Sequence, residues 1–144
     1  KHLLEVPILY LSAYIIKEKD EYYELLKNVT TLRRWDSWII YILRAIEETS
    51  KYTISRIGEI DRLYSRTIEL VNERYPSIRK EFIEKLFEQP YISPKKLIDK
   101  NIKSLNTVKK YLKQLEETGI LVPEKIGKEI VYLNIDLYNI LAES

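Results

Sequence analysis

The segment SLNTVKKYLKQLEETGILVPEKIGKEIVYLNI, residues 104–135, decides the fold of the C-terminal half of this 144-residue chain. Its first part repeats apolar residues at the spacing of an α-helix, and we expect that helix to run over residues 107–118. Ser104 is a favourable cap at its start, and Gly119 suits the left-handed conformation that commonly ends a helix. The predicted buried face consists of Val108, Leu112 and Leu115.

The second part of the segment predicts a β-hairpin. Residues 120–122 are apolar, and residues 129–135 alternate between two faces, which is the period of a β-strand. The residues between them, 123–128, form a basic loop that contains Gly127. Beyond the hairpin, Asp136 can cap a last helix over residues 137–142.

Two further helices are expected before this segment. The first has one apolar face and ends at Gln89-Pro90, since the residue before a proline is disfavoured in a helix. Ser93 followed by Pro94 predicts a very short second helix over residues 95–99, with Leu97 and Ile98 inward. Three helices followed by a hairpin are typical of a winged helix-turn-helix domain, whose recognition helix here begins at Ser104. The apolar face of the first helix is formed by Ile78, Phe82, Ile83, Leu86 and Phe87.

The first 75 residues are expected to be helical throughout. Pro7 suits the first turn of an apolar helix, Asp20 can cap a short second helix, and Asp36 can cap a third after a loop near residues 30–34.

The third helix is predicted to be unusually long. Apolar residues recur about once per turn from Ser37 to Glu73, with Gly58 as the one weak point, and Tyr75-Pro76 is a natural stop. We therefore predict a mainly α fold with two domains, 1–75 as a set of helices and 76–144 as the winged helix-turn-helix.

Composition excludes several classes of protein. The chain is 45% hydrophobic and 32% charged, which is typical of a globular protein, and its longest apolar stretch is too short to cross a membrane. It contains no cysteine, which excludes disulfides, thiolate zinc sites and thiol nucleophiles and favours a cytoplasmic location. It also has no methionine, even at position 1, so we expect it to be a fragment of a longer protein.

Positive charge is concentrated in one part of the sequence. The net charge is only +2, but residues 94–113 hold seven lysines against one acid, Asp99. On the recognition helix the outward residues are predicted to be polar or basic, while Glu116 and Glu117 lie at the far end. We therefore expect this helix to contact DNA. Its outward residues are Asn106, Thr107, Lys109, Lys110 and Lys113.

Each candidate residue has an expected role. The amide of Asn106 can pair with adenine, Ser104 and Thr107 suit phosphate or mixed contacts, and the lysines attract phosphates electrostatically. On the wing, Lys125 and Lys128 flank Gly127, although Glu124 and Glu129 dilute their charge.

Two interpretations of this basic surface remain open. Either it binds DNA, or its lysines are merely solvated and the winged helix serves dimerisation or other protein contacts. No arginine suited to guanine lies on the outward face, so phosphate binding is better supported than base readout.

Other candidate sites are weak. His2 is the only histidine and has no neighbours in a metal-ligand pattern, and the three glycines are too far apart to form a phosphate-binding loop. We expect neither a metal site nor a catalytic residue in this chain. The tyrosines lie mostly at helical spacing beside aliphatic residues, which predicts packing rather than base stacking.

Three stretches of the N-terminal half resemble bacterial proteins of the Fic family. They are VPILYLSAY (residues 6–14), DEYYELL (residues 20–26) and WDSWIIYILRAIEET (residues 35–49). In that family such helices follow the active-site motif and complete an all-helical core, and many bacterial members carry a C-terminal winged helix. The resemblance implies that the whole chain is the C-terminal part of such a protein.

The resemblance also implies an activity for the longer protein. Fic proteins transfer AMP, or another phosphate-containing group, from a nucleotide to a target hydroxyl with a divalent metal, so ATP and Mg are implied for the full-length protein adenylyltransferase. The motif responsible, HPFxDGNGRxxR, is absent from the sequence, and His2 does not match it. We expect this chain alone to be catalytically silent and to hold no cofactor, and the sequence does not identify the target protein.

The first helix and residues 38–46 are too apolar for a solvent-exposed surface. The resemblance implies that their partners would lie in the N-terminal part of the Fic core. In the absence of that part we predict a homodimer or higher oligomer through residues 3–46.

Overall fold

A computed structural model of the protein describes residues 11–100 and 102–142. The chain forms two compact units, Lys1–Ile57 and Gly58–Ser144. The predicted helix start at Pro7 and the lone His2 lie outside the described residues. Within the described ranges, no helix is both long enough and apolar enough to cross a membrane.

The N-terminal unit is helical, as predicted. It contains α1 (Leu11–Lys17), α2 (Lys19–Leu32) and the first part of α3 (Trp35–Arg74). Around Tyr41, which is fully buried, pack the rings of Tyr14 at 5.7 Å and Trp38 at 6.1 Å between centroids. Burial raises the pKa of the Tyr41 hydroxyl. These contacts confirm a packing role for these tyrosines.

Several predicted helix boundaries in this unit are wrong. Helix α2 starts at Lys19 and continues to Leu32, so Asp20 lies in its first turn rather than at its cap and the predicted loop near residues 30–34 shrinks to two residues. The hydroxyls of Thr30 and Thr31 both donate to the carbonyl of Lys27, which satisfies them inside the helix.

Helix α3 also starts earlier than predicted, at Trp35, so Asp36 is not its cap. As first-turn residues, Asp20 and Asp36 still place negative charge near the positive end of a helix dipole.

Helix α3 is 40 residues long and passes through Gly58 without interruption. The compact units divide at this glycine, whereas the sequence placed the domain boundary at 76. The physical reason for the difference is packing, because Val71 is buried in the C-terminal core and Tyr64 and Ile68 lie against it. The last part of α3 therefore belongs to the C-terminal unit.

The C-terminal unit has the predicted winged-helix order. After α3 come α4 (Lys80–Glu88), β1 (Tyr91–Ile92), a 3₁₀ turn (Pro94–Leu97), α5 (Leu105–Glu117), β2 (Leu121–Ile126), β3 (Glu129–Asn134) and α6 (Ile135–Ala142). Its core joins the apolar faces predicted for α4 and α5, which confirms both. The main core residues are Ile78, Phe82, Ile83, Leu86, Leu97, Val108, Leu112, Leu115 and Leu121.

The sheet has three antiparallel strands in the order β1-β3-β2, one more than the predicted hairpin. Strand β1 pairs Tyr91 with Leu133 and Ile92 with Tyr132. The strands of the wing are longer than predicted and its turn is shorter. Ile126 pairs with Glu129, which leaves only Gly127-Lys128 in the turn. The predicted loop 123–128 is therefore wrong: Pro123 lies within β2, an edge strand, where proline is tolerated.

Three local predictions in this unit need correction. The second helix is a 3₁₀ turn, and Ile98 beyond it is exposed rather than inward. Helix α5 starts at Leu105, two residues before its predicted start at 107. The cap of α6 is Asn134 rather than Asp136, since the Leu137 N–H donates to Asn134 Oδ1 at 3.1 Å.

Candidate nucleic-acid interface

The recognition helix α5 presents its polar residues to solvent because its apolar residues anchor it. Val108, Leu112 and Leu115 are fully buried. The opposite face leaves four candidate side chains exposed, while Thr107 is half-buried. Two of them lie three and four residues after the first, and the last lies four and three residues after those two, so all four share one surface. They are Asn106, Lys109, Lys110 and Lys113.

Ser104 lies at the cap position of α5 but makes no side-chain capping bond. Its backbone is extended, and its carbonyl accepts the Val108 N–H at 3.2 Å. The predicted capping interaction is therefore absent, although the predicted position is right. The side chain is exposed beside the first turn of α5.

The turn that leads into α5 is held by Asp99. Its carboxylate Oδ1 accepts the Ile102 N–H at 2.8 Å, and its own N–H donates to the Ile102 carbonyl at 3.0 Å. Lys85 of α4 forms an ion pair with the same carboxylate. In the sequence Asp99 stands out only as the single acid among seven lysines. That isolated negative charge was the one signal that could have pointed to its role in the turn.

A groove of about 340 Å³ connects the recognition helix with the wing. Lys109 of α5, Lys128 of the wing turn and Lys95 of the 3₁₀ turn all line it. Among the predicted site residues only Lys109 and Lys128 meet there; Ser104, Asn106, Thr107, Lys110, Lys113 and Lys125 do not line it. The rest of its wall is formed by Ser93, Pro94, Leu105, Glu129 and Ile130.

Lys95 is the residue at this groove that sequence reasoning missed as a site residue. Its ammonium lies 3.1 Å from Glu129 Oε1 on the wing, and both side chains are well exposed, at 75% and 62%. An exposed pair of this kind is weak and easily exchanged for another anion. No sequence pattern predicts this contact, since it depends on how the wing folds back toward the 3₁₀ turn.

The two acids of the wing, Glu124 and Glu129, occupy different positions relative to the groove. Lys125 pairs across the strands with Ile130, so both lie on the sheet face that borders the groove, whereas Glu124 pairs with Val131 on the other face. Glu129 is the acid that lines the groove. Of the four charged wing residues only Lys128 and Glu129 line the groove, so the wing adds no net charge to its wall.

The described residues hold no candidate cluster of metal ligands. Across residues 11–100 and 102–142, no group of three or more His, Asp or Glu side chains is placed to hold a metal ion. The sequence also lacks the HPFxDGNGRxxR motif. We therefore assign no catalytic step to these residues.

Comparison with known families gives a match to the C-terminal half of the chain. The family model for "Protein adenylyltransferase SoFic-like, C-terminal domain" matches residues 63–137, just over half of the chain. The match starts within α3 and ends in α6, so it includes every element of the groove.

Proposed function

Because the chain belongs to the SoFic-like protein adenylyltransferases, of which it carries the C-terminal domain, we propose that its winged helix is a DNA-binding, regulatory module. The observation that carries this proposal is the groove in which Lys109 of the recognition helix and Lys128 of the wing converge with Lys95. In the full-length protein, AMP would be transferred to protein hydroxyls by residues outside this chain.

The proposed contact is mainly with phosphates. The exposed lysines of α5 lie on one surface, and the wing adds Lys128 at the groove and an exposed Lys125 in β2. This arrangement suits a helix in the major groove with the wing on the adjacent backbone. If each of the five lysines neutralises one phosphate, log affinity should fall with log salt at a slope of about −4.5. These lysines are Lys109, Lys110, Lys113, Lys125 and Lys128.

A titration of labelled duplex DNA by fluorescence anisotropy at several salt concentrations tests the proposal. Reversing charge with Lys109→Glu and Lys110→Glu should weaken binding and reduce the slope by about 1.8 or more, since two phosphate contacts are lost. The matched control is Lys17→Glu with Lys27→Glu, which makes the same charge change on exposed helical lysines of the N-terminal unit. Equal binding by the two double variants would contradict the proposal.

The outer face of the sheet supports a second candidate function, protein contact. Tyr91, Leu133 and Val122 form one row across the three strands, on the face opposite to buried Ile92. Tyr91 and Val122 are exposed, which is unusual for apolar residues in one contiguous row. Under this alternative, Tyr91→Ser with Val122→Ser would abolish association with a protein partner or a second copy and leave DNA binding unchanged.

A further inference from the structure

We infer that Asp99 is a positioning residue for DNA binding: clamped by Lys85, it sets the place of the first turn of α5. The inference rests on the proposed function, because that turn carries Asn106 and leads to the lysines of the contact surface. Asp99 itself would touch no DNA. Its effect would pass through the backbone that it holds.

Asp99 closes the turn with two hydrogen bonds, one from its side chain and one from its backbone. It accepts the Ile102 N–H at 2.8 Å while the backbone N–H of Asp99 donates to the Ile102 carbonyl at 3.0 Å. Ile102 is half-buried against the core of the C-terminal unit. The chain is thus fixed two residues before Ser104, at the start of the recognition helix.

Lys85 ties this turn to a rigid element. It lies on α4 between Ile83 and Leu86, both fully buried, so its backbone is held by the core. The side chains of Lys85 and Asp99 are only 24% and 28% exposed, against 75% and 62% for the pair of Lys95 with Glu129. Lower exposure means weaker screening by water and salt, so this pair holds its geometry better than the surface pair.

The start of α5 has no side-chain cap. Ser104 makes no capping bond, and Lys100, Lys103 and Ile98 are exposed. A missing cap leaves the first amides of a helix without a side-chain acceptor, which favours fraying. The Asp99 turn therefore holds the chain before α5, in addition to the buried Val108 within its first turn.

Electrostatics and positioning make opposite predictions for Asp99, which makes the inference testable. Asp99 is the one acid among the seven lysines of residues 94–113. If charge alone mattered, removing it would tighten DNA binding. If positioning matters, Asp99→Ala should weaken binding about tenfold, as expected when a part-buried hydrogen bond to an ordered turn is lost.

The experiment compares Asp99→Ala with Asp99→Asn in the full chain, by anisotropy with duplex DNA. Asparagine keeps an oxygen that can accept the Ile102 N–H but loses the ion pair with Lys85, so Asp99→Asn should bind DNA more tightly than Asp99→Ala. Lys85→Met should weaken binding more than Lys80→Met, an exposed lysine on the same helix. Tighter binding by Asp99→Ala would overturn the inference, as would equal loss in Asp99→Ala and Asp99→Asn.

Hydrogen exchange supplies a readout that does not depend on DNA. Asp99→Ala should speed exchange at Ile102 and the first turn of α5 and leave Leu112 and Leu115 protected, whereas general destabilisation would speed all of them. Unchanged exchange at Ile102 would also overturn the inference. If the wild-type chain fails to bind DNA, the proposed function fails, and exchange alone decides whether Asp99 orders this turn.

Discussion

Asn134 joins three elements of the C-terminal unit through one residue. Its backbone N–H donates to the carbonyl of Pro90, just before β1, at 2.7 Å, and its side-chain oxygen accepts the Leu137 N–H at 3.1 Å. The residue is buried, with only 2% of its surface exposed. Removal of the side chain is costly because it leaves the buried Leu137 N–H without its acceptor, while the backbone bond to Pro90 remains.

We predict that Asn134→Ala lowers the free energy of unfolding by about 1–3 kcal/mol, through loss of the α6 cap and exposure of a buried N–H to an apolar neighbour. Urea denaturation followed by circular dichroism measures the change. The control is Asp136→Ala, which removes the residue that the sequence suggested as the cap and should have little effect. An equal loss of stability in the two variants would contradict the assignment of the cap.

The choice between Asn134 and Asp136 shows what a sequence leaves undetermined at the residue scale. Both are favourable capping residues, two positions apart, and local preference does not separate them. The pairing of Asn134 with Leu121 separates them, since it makes Asn134 the last residue of β3 and starts α6 at Ile135. That pairing involves residues far apart in sequence.

At the element scale, helices with a strong apolar repeat could be predicted from the sequence. Short elements, and strands that exist only through pairing with another strand, could not. Helices α4 and α5 repeat apolar residues over two turns or more, and their inward faces were predicted correctly. Strand β1 has two residues, too few to display a period, and exists because β3 offers it hydrogen bonds. The same limit applies to the site: the exposed lysines of α5 were predictable, but the contact of Lys95 with Glu129 was not.

Alanine is predicted to stabilise the protein at Gly58 and to destabilise it at Gly119. Gly58 lies inside α3, and an added Cβ would meet only Arg62 Nη1 at 3.6 Å, an ordinary contact. Gly58→Ala should therefore stabilise the protein by about 0.5–1 kcal/mol, the helix-propensity difference. Gly119 has a φ of 76° after α5, so Gly119→Ala should destabilise by about 1 kcal/mol despite open space around it.

Thermal unfolding of both glycine variants against wild type checks the pair. A loss of stability in Gly58→Ala would mean that the middle of α3 must bend or open. Such a bend is what the sequence analysis allowed when it identified Gly58 as the weak point of the helix. The continuous helix argues against that.

At the scale of the whole molecule, the end of a helix need not be a domain boundary. Pro76 ends α3 shortly after Arg74, as predicted. However, Tyr64, Ile68 and Val71 of that helix pack into the C-terminal core. The family match begins at residue 63, before these three residues. A boundary drawn from proline alone misses them because packing between distant elements, rather than helix termination, defines a compact unit.

The N-terminal unit exposes more apolar surface than a monomer usually leaves in water. Ile40 and Leu43 of α3 are 57% and 60% exposed, and Trp35 and Ile39 are also exposed beside them in sequence. All four lie in or next to the apolar region 38–46 noted in the sequence.

We therefore predict that the chain associates with a second copy of itself through this surface, and sedimentation velocity across a micromolar concentration series tests it. The wild-type sedimentation coefficient should rise with concentration, and Ile40→Glu with Leu43→Glu should hold the chain as a monomer, because charged residues cannot be buried without partners. Tyr138→Glu with Leu141→Glu is the matched control, since it places the same two charges, three residues apart, on exposed apolar residues of α6 and should still associate. A wild-type chain that stays monomeric would contradict the prediction and would favour coverage of this surface by another part of a longer Fic-family protein.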